Sequence, residues 1–191
     1  MRLLHFSDLH GNRRAIEALT RVAARWSDAY VAITGDVCKD NFAASSDYDA
    51  LTNPQVWLVP GNHDDPAPQR LGHLNRVRWQ APYLFELENC VVVGLDSEGK
   101  DGLDTQLRSV SNEVQIENKR VLIVLHHRPF DGLREVVLGW ANEYFLDLAS
   151  VILLHGHEHH LKSIFAESTK ERLGNVAVIT SNVYSANTRL V

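Results

Sequence analysis

Two cysteines, Cys38 and Cys90, in 191 residues are too few for a disulfide framework, and neither sits in a Cys-x-x-Cys pair. A disulfide-stapled fold and a thiolate metal site both drop out, and the two thiols are expected to be reduced. No apolar run approaches the roughly 20 residues that span a bilayer. The chain opens almost at once on the strand-like RLLHF, without a basic stretch leading into an apolar signal core. A cytoplasmic location with no membrane segment is the expectation. Basic excess is missing too: 19 Lys and Arg against 24 Asp and Glu give a net charge of -5. Stable coating of duplex nucleic acid, which calls for a basic face, is therefore not expected. A nucleotide-sized substrate is still compatible, because bound divalent cations would reverse the local field. Internal repeats, low-complexity tracts and flexible linkers are also lacking.

What is present is ordinary in bulk and unusual in pattern. An apolar fraction of 45% and a charged fraction of 23% are those of a soluble globular chain, and the length suits one domain over residues 1–191. Repeatedly, an apolar strand-like run ends in Asp, His or Asn. LLHFSDLH delivers Asp8 and His10, VAITGD delivers Asp36, and VWLVPGNHD delivers Asn62, His63 and Asp64. VLIVLHH then delivers His126 and His127, and VILLHGHEH delivers His157 and His159. Groups spread so widely along the chain meet only if the strands run parallel with their C-terminal ends on one edge, the edge where open α/β sheets bind ligands.

The remaining periodicities fill in the order of elements. A helix is expected over residues 12–26, with Asn12 as N-cap and Ile16, Leu19, Val22 and Ala23 on one face. AYVAIT and QVWLV read as strands, separated by a polar stretch from Lys39 to Asn53 that gives no clear period. Pro66 and Pro68 lead into a short helical segment near residues 70–76. YLFEL and CVVVGLD form a hairpin around Glu88 and Asn89. Helices are expected over residues 103–114 and 134–148, strands at VLIVL and VILLH, and SIFAE and VAVIT close the chain as strands of a second sheet, with residues 170–175 as the turn between them. Alternating strands and helices with additional strand pairs point to an α/β domain containing a second sheet.

The edge residues carry the chemistry. Carboxylate, imidazole and amide oxygen together suit Mn²⁺, Fe or Zn²⁺ better than Ca²⁺, which prefers oxygen alone. Asp8, His10, Asp36, Asn62, His126, His157 and His159 are too many ligands for one ion and suit two, provided one carboxylate bridges. Asp36, alone at its strand end, is the natural bridge, and two ions about 3.5 to 4 Å apart form a clamp for phosphoryl displacement. Asp8 and His10 are two residues apart, as are His157 and His159, so in extended chain each pair would point to one side. A turn after Gly156 would instead split its pair between neighbouring ions. His63 directly follows Asn62, so the two side chains diverge, and His63 is placed to face a substrate as a proton donor.

Asp8-x-His10, Gly35-Asp36, Gly61-Asn62-His63-Asp64, His126 and Gly156-His157-x-His159 resemble, in order, the five-block signature of the calcineurin-like metallophosphoesterase superfamily. The chain looks like its small bacterial and archaeal phosphodiesterases. The resemblance implies a four-layer α/β-β/α sandwich, two mixed sheets flanked by helices, with two divalent metal ions at the strand ends, Mn²⁺ foremost. It implies that Asp8, His10 and His159 hold the first ion, Asn62, His126 and His157 the second, and that Asp36 bridges. It further implies that His63 protonates the leaving oxygen, that Asp64 orients His63, and that a metal-bridging hydroxide attacks phosphorus in line. In the fourth block His126 directly follows the strand and is favoured, with His127 as the alternative.

The activity so implied is hydrolysis of phosphodiesters, or of phosphomonoesters, of a small or nucleotide-like substrate. A nuclease acting on DNA or RNA is the alternative, although a basic groove or capping domain is missing. A non-catalytic scaffold similar to a retromer subunit should show broken ligand blocks, and none is broken here. Protein phosphatases of the superfamily carry Glu where this chain has Asp64, and Asp36 is not followed by their DRG. Asn12, at a helix N-terminus beside the edge, and Arg128 are candidate phosphate contacts; Arg13 and Arg14 are better read as solvated. Trp79, beside Arg76 and Arg78, together with Tyr83 and Trp140 would either wall a pocket or pack in the core. His5 and His155 read as core histidines, His73 and His160 as surface ones, and Cys38 as a small filler near the edge.

Overall fold

The computed structural model describes residues 3–37, 51–64, 77–78, 80–98, 102–111, 116, 119–127, 131–144, 151–157, 163–165 and 177–180. The elements run β1 (Leu3–Phe6), α1 (Arg13–Arg25), β2 (Tyr30–Thr34), β3 (Val56–Val59), β4 (Val77–Arg78), β5 (Tyr83–Glu86), β6 (Cys90–Gly94), α2 (Leu103–Ser111), β7 (Arg120–Val124), α3 (Asp131–Glu143), β8 (Val151–His155), β9 (Ser163–Phe165) and β10 (Ala177–Thr180). They build a four-stranded sheet in the order β1-β2-β3-β4 and a six-stranded sheet in the order β5-β6-β7-β8-β10-β9. The first sheet is parallel throughout. In the second, β6, β7, β8 and β10 are parallel and the flanking strands β5 and β9 antiparallel.

Strand alternation sorts the apolar side chains into three clusters, and the clusters define the layers. Leu4, Val31, Ile33, Val56 and Leu58 face Ile16, Leu19 and Ala23 of α1. Their neighbours Leu3, Ala32, Trp57 and Val59 turn the other way and meet Cys90, Val92, Leu122, Val124 and Leu154 of the second sheet. The outer face of that sheet, with Val91, Val93, Val121, Ile123, Val151 and Leu153, packs on Leu107 and Val110 of α2 and Val137, Trp140 and Ala141 of α3. Helix, sheet, sheet and helix follow one another, the expected α/β-β/α sandwich. Strands buried on both faces explain why these runs are almost uniformly apolar. Trp57 lies flat on Tyr30, ring centroids 5.0 Å apart, and 5.9 Å from Phe85 of the opposite sheet.

The expected N-cap is in place: the Asn12 side chain accepts from Arg14 N and Ala15 N. The other end of α1 is closed by a residue whose role the sequence does not announce. Buried Asn53 donates through Nδ2 to Trp26 O and Ala29 O, each at 2.9 Å, serving carbonyls left over where the helix ends. The hairpin is as expected, with Leu87 N donating to Cys90 O across Glu88 and Asn89. Two readings change. Helix α3 begins at Asp131, ahead of Arg134. The short strand β4 has no counterpart among the expected elements. The last two strands belong to the second sheet as expected: β10 inserts between β8 and β9, extending the parallel sheet first, because its apolar Ala-Val-Ile run suits a strand with neighbours on both sides. The helical segment near residues 70–76, the turn at 170–175 and most of the 39–53 stretch lie outside the described residues. Among the described residues, no helix is long and apolar enough to cross a membrane.

His5, in β1, is 2% exposed and its Nε2 lies 2.9 Å from Thr34 Oγ1. Burial, and secondarily His155, push its pKa down to about 3. The folded state thus holds His5 neutral while the unfolded chain takes up a proton below about pH 6.5. Stability from this residue is full above pH 6.5 and falls with pH until the folded pKa, by about 1.4 kcal/mol per pH unit. In urea titrations from pH 7 to pH 4, the stability difference between wild type and His5→Gln should shrink with that slope; a pH-independent difference would contradict it.

Candidate metal centre

Every candidate ligand among the described residues stands just past the C-terminal end of a parallel strand: Asp8 and His10 after β1, Asp36 after β2, Asn62 after β3, His126 after β7 and His157 after β8. Within the strands, alternation would send neighbouring side chains apart, so convergence requires the backbone to turn sharply. It does so at the ligand positions themselves. Asp8, His10, Asp36 and His157 have φ of 55°, 47°, 51° and 66°, in the left-handed region that side chains other than glycine seldom occupy. The extended spacing expected for Asp8 and His10 is therefore corrected: left-handed turns at both positions bring them together. Asp8 N donates to Gly35 O at 3.1 Å and His10 N to Asp36 O at 2.7 Å, which holds the turns in place. His157 is left-handed as well, while His159, its partner in the reading with a turn after Gly156, lies outside the described residues.

Two groups result. Asp8, His10 and Asp36 bring their ligand atoms within 4.8 Å of one another, and so do His126, His127 and His157. Asp36 joins the groups: its Oδ2 is 3.7 Å from His10 Nε2 and 3.5 Å from His126 Nε2. Hydrogen bonds show how the second group is turned. Buried His126 places Nδ1 2.8 Å from Thr34 O, so Nδ1 donates to that carbonyl and Nε2 is the nitrogen turned to the centre. Nε2 faces Asn62 Oδ1 at 3.0 Å and His157 Nδ1 at 3.2 Å, besides Asp36. Acceptors turned toward one point repel unless a proton or a cation lies among them, and imidazole, amide oxygen and carboxylate are the donors a divalent metal of the Mn²⁺, Fe or Zn²⁺ type accepts.

The carboxylates are positioned from both sheets. Asp8 is 0% and Asp36 1% exposed. His157 N donates to Asp8 Oδ2 at 3.0 Å, the Ser7 hydroxyl donates to the same oxygen, and His63 N donates to Asp36 Oδ1 at 3.0 Å. Asn62 and His63 diverge as expected, Asn62 toward His126 and exposed His63 toward His10, ring centroids 5.3 Å apart. Buried Asp64 accepts Gly61 N at 2.9 Å, closing the turn that presents His63. Two motif glycines are required by close approach. A Cβ on Gly35, whose φ is +78°, would stand 2.5 Å from His126 Nδ1, and one on Gly156 would stand 1.7 Å from Ser7 Oγ and 2.7 Å from Asp8 Oδ2.

The family model for calcineurin-like phosphoesterases matches residues 1–161. The chain belongs to that family. Its members are hydrolases of phosphoester bonds and use two metal ions. Solved structures agree on the fold. The TT1561 protein of Thermus thermophilus is similar with a TM-score of 0.65 at 15% identity, over 100% of this chain and 97% of that one. A dimetal phosphatase from Danio rerio gives 0.64 at 15% identity, over 96% and 88%. An archaeal phosphodiesterase gives 0.55 at 11% identity, over 100% and 99%. No protein of curated function matches the sequence.

The other calcineurin-like site candidates distribute as follows. His159 and Arg128 lie outside the described residues, as do Cys38, His73, Trp79 and His160. Asn12 Oδ1 is committed to capping α1, which leaves its amide N–H₂ for any phosphate. Tyr83 and Trp140 belong to packing: Tyr83 lies over Gly94, and Trp140 is fully buried with Nε1 donating to Ser111 Oγ at 2.7 Å. His127 lies against both other histidines of its group, edge-on to His126 with ring centroids 4.8 Å apart and tilted 45° to His157 at 4.4 Å. Burial, then these two rings, lower its pKa. Sequence reasoning misses its partners Ser97 and Glu98, although CVVVGLDSE is one more apolar strand ending in polar residues. Ser7 and Thr34, which anchor Asp8 and His126, give no sequence signal.

Gly156→Ala should force Ser7 and Asp8 apart and cost about 1 to 3 kcal/mol, as overpacking does. Urea denaturation of the metal-free protein measures it; unchanged stability would show that the seam yields to the methyl group.

Proposed function

We propose that the protein is a metal-dependent phosphoesterase that hydrolyses phosphodiester bonds of a small or nucleotide-like substrate, with phosphomonoesters as a second substrate class. The observation that carries the reading is the single Asp36 oxygen facing His10 on one side and His126 on the other, a placement from which one carboxylate would serve two ions. Asp8 and His10 would hold the first ion, joined by His159 on the family pattern, and Asn62, His126 and His157 would hold the second. Two divalent ions would supply an acidified water and offset charge on the phosphoryl oxygens. The chain's residues do the rest. Thr34 O fixes the His126 tautomer, and His157 N and Ser7 fix the Asp8 carboxylate. His63, pinned through its backbone to Asp36, keeps its ring at the open face, where it hands a proton to the leaving oxygen. An alkoxide leaving group gains most from such a proton, which favours diesters. Asp64 steadies the turn that carries His63. The names of the dimetal phosphatase and the archaeal phosphodiesterase support both substrate classes.

Metal-stripped protein reloaded with Mn²⁺ should hydrolyse bis-p-nitrophenyl phosphate faster than p-nitrophenyl phosphate. Asp36→Asn should lose bound metal together with turnover, and His63→Ala should keep metal while losing about 10²- to 10⁴-fold in diester turnover. Failure of wild type to bind any divalent ion would sink the reading and return the scaffold alternative.

A further inference from the structure

The turn after β6 is built as firmly as the ligand turns. Asp96 Oδ1 accepts Glu98 N at 2.9 Å. Gln106 of α2, 2% exposed, grips the same residue with both ends of its amide, accepting from Asp96 N at 2.9 Å and donating to Asp96 O at 2.8 Å. Ser97 is thereby placed against the fourth block. Its Oγ accepts His127 N at 3.1 Å and lies 2.8 Å from His127 Nδ1, while His127 Nε2 lies 3.3 Å from Glu98 Oε1.

These contacts occupy both ring nitrogens. A serine hydroxyl has one proton and two lone pairs, so after accepting His127 N–H it pairs with Nδ1 either as donor or through its second lone pair. The proton on Nε2 is set by Glu98, since a bare Nε2 at 3.3 Å from Oε1 would hold a lone pair against a carboxylate. Neither ring nitrogen is left to ligate a metal: one is paired with Ser97 and the other carries a proton toward Glu98. His126 is turned the other way, with Nδ1–H on Thr34 O and Nε2 toward the centre.

We infer that His127 is a substrate-binding residue and not a metal ligand: Ser97 locks its imidazole so that Nε2–H meets a phosphoryl oxygen, in the place the Glu98 carboxylate takes in the free protein. The inference rests on the phosphoesterase reading of the same site. Ser97 is a positioning residue acting through His127. Glu98, an exposed side chain, gives way to the substrate and opposes a dianionic monoester more than a monoanionic diester.

The test loads wild type and variants with Mn²⁺, counts bound ions by mass spectrometry of the metal, and measures inorganic phosphate affinity by calorimetry alongside kcat and KM on bis-p-nitrophenyl phosphate. His127→Ala should keep the wild-type number of ions while its phosphate affinity falls about tenfold, the size of one charge-assisted hydrogen bond. Ser97→Ala should move phosphate affinity and KM the same way with ions retained, and Ser97→Thr should restore both. Glu98→Gln should tighten phosphate. His126→Ala, by contrast, should lose an ion. Loss of an ion from His127→Ala, or wild-type phosphate affinity in that variant, would overturn the inference while leaving the phosphoesterase reading intact. A wild type that binds no Mn²⁺ overturns both.

Discussion

Two carboxylates, Asp8 and Asp36, are buried at the edge where the two sheets meet, and the arrangement of the molecule answers to that fact. A carboxylate removed from water is costly unless hydrogen bonds and opposite charge replace the solvent. Their partners among the described residues include backbone N–H groups of His157 and His63, the Ser7 hydroxyl, and the imidazoles of His10 and His126. They come from turns after strands of both sheets. The sandwich needs both sheets parallel at this edge to bring those turns together, and the edge in turn ties the sheets to each other: His157 N reaches Asp8, and His126 Nδ1 reaches Thr34 O.

Left-handed backbone at Asp8, His10, Asp36 and His157 concentrates conformational strain where function is read. Each such residue costs on the order of 1 to 3 kcal/mol, a sum carried by the three apolar clusters that flank the edge. The consequence is preorganisation. The ligand atoms of Asp8, His10 and Asp36 already stand within 4.8 Å of one another, and His126 Nε2 stands 3.2 Å from His157 Nδ1, so a cation arriving there needs little rearrangement from the protein. The motif glycines follow from the same compression: the chain passes so close to His126 at Gly35, and to Ser7 at Gly156, that a β-carbon does not fit.

Much of this is legible in the sequence for a physical reason. Parallel strands covered on both faces must be apolar along their length, so a polar residue at the end of such a run is conspicuous, and the edge can be read before the strands are paired. Asn12 is legible as a cap because its side chain acts within its own turn. Contacts that act across the fold are silent: Asn53 on the end of α1, Thr34 on His126, Gln106 on the turn after β6. Each is an ordinary polar residue whose partner lies many positions away. Asp8 and His10 do stand together, but not for the local reason the spacing suggests, since that argument assumes extended chain and the backbone is left-handed. The order β8-β10-β9 is not readable, because both of the last strands are short and nothing in either run names its neighbour.

The relatives share 11 to 15% of their residues with this chain and keep the sandwich. That is what close packing permits: apolar side chains in a core exchange among Val, Ile and Leu provided volume and pattern hold, whereas the edge donors must retain atom type and position. Choice among phosphoesters then falls to the rim, where little constrains the residue. In this chain the rim carries Glu98 and the protein as a whole carries a net charge of -5. Two of the groups at the centre, Asp8 and Asp36, are carboxylates, which repel a phosphoryl group. On the phosphoesterase reading, cations held by these residues would offset that charge as well as acidify water, so affinity for the substrate would follow metal occupancy, and at the rim each remaining carboxylate would weigh against the more highly charged ester.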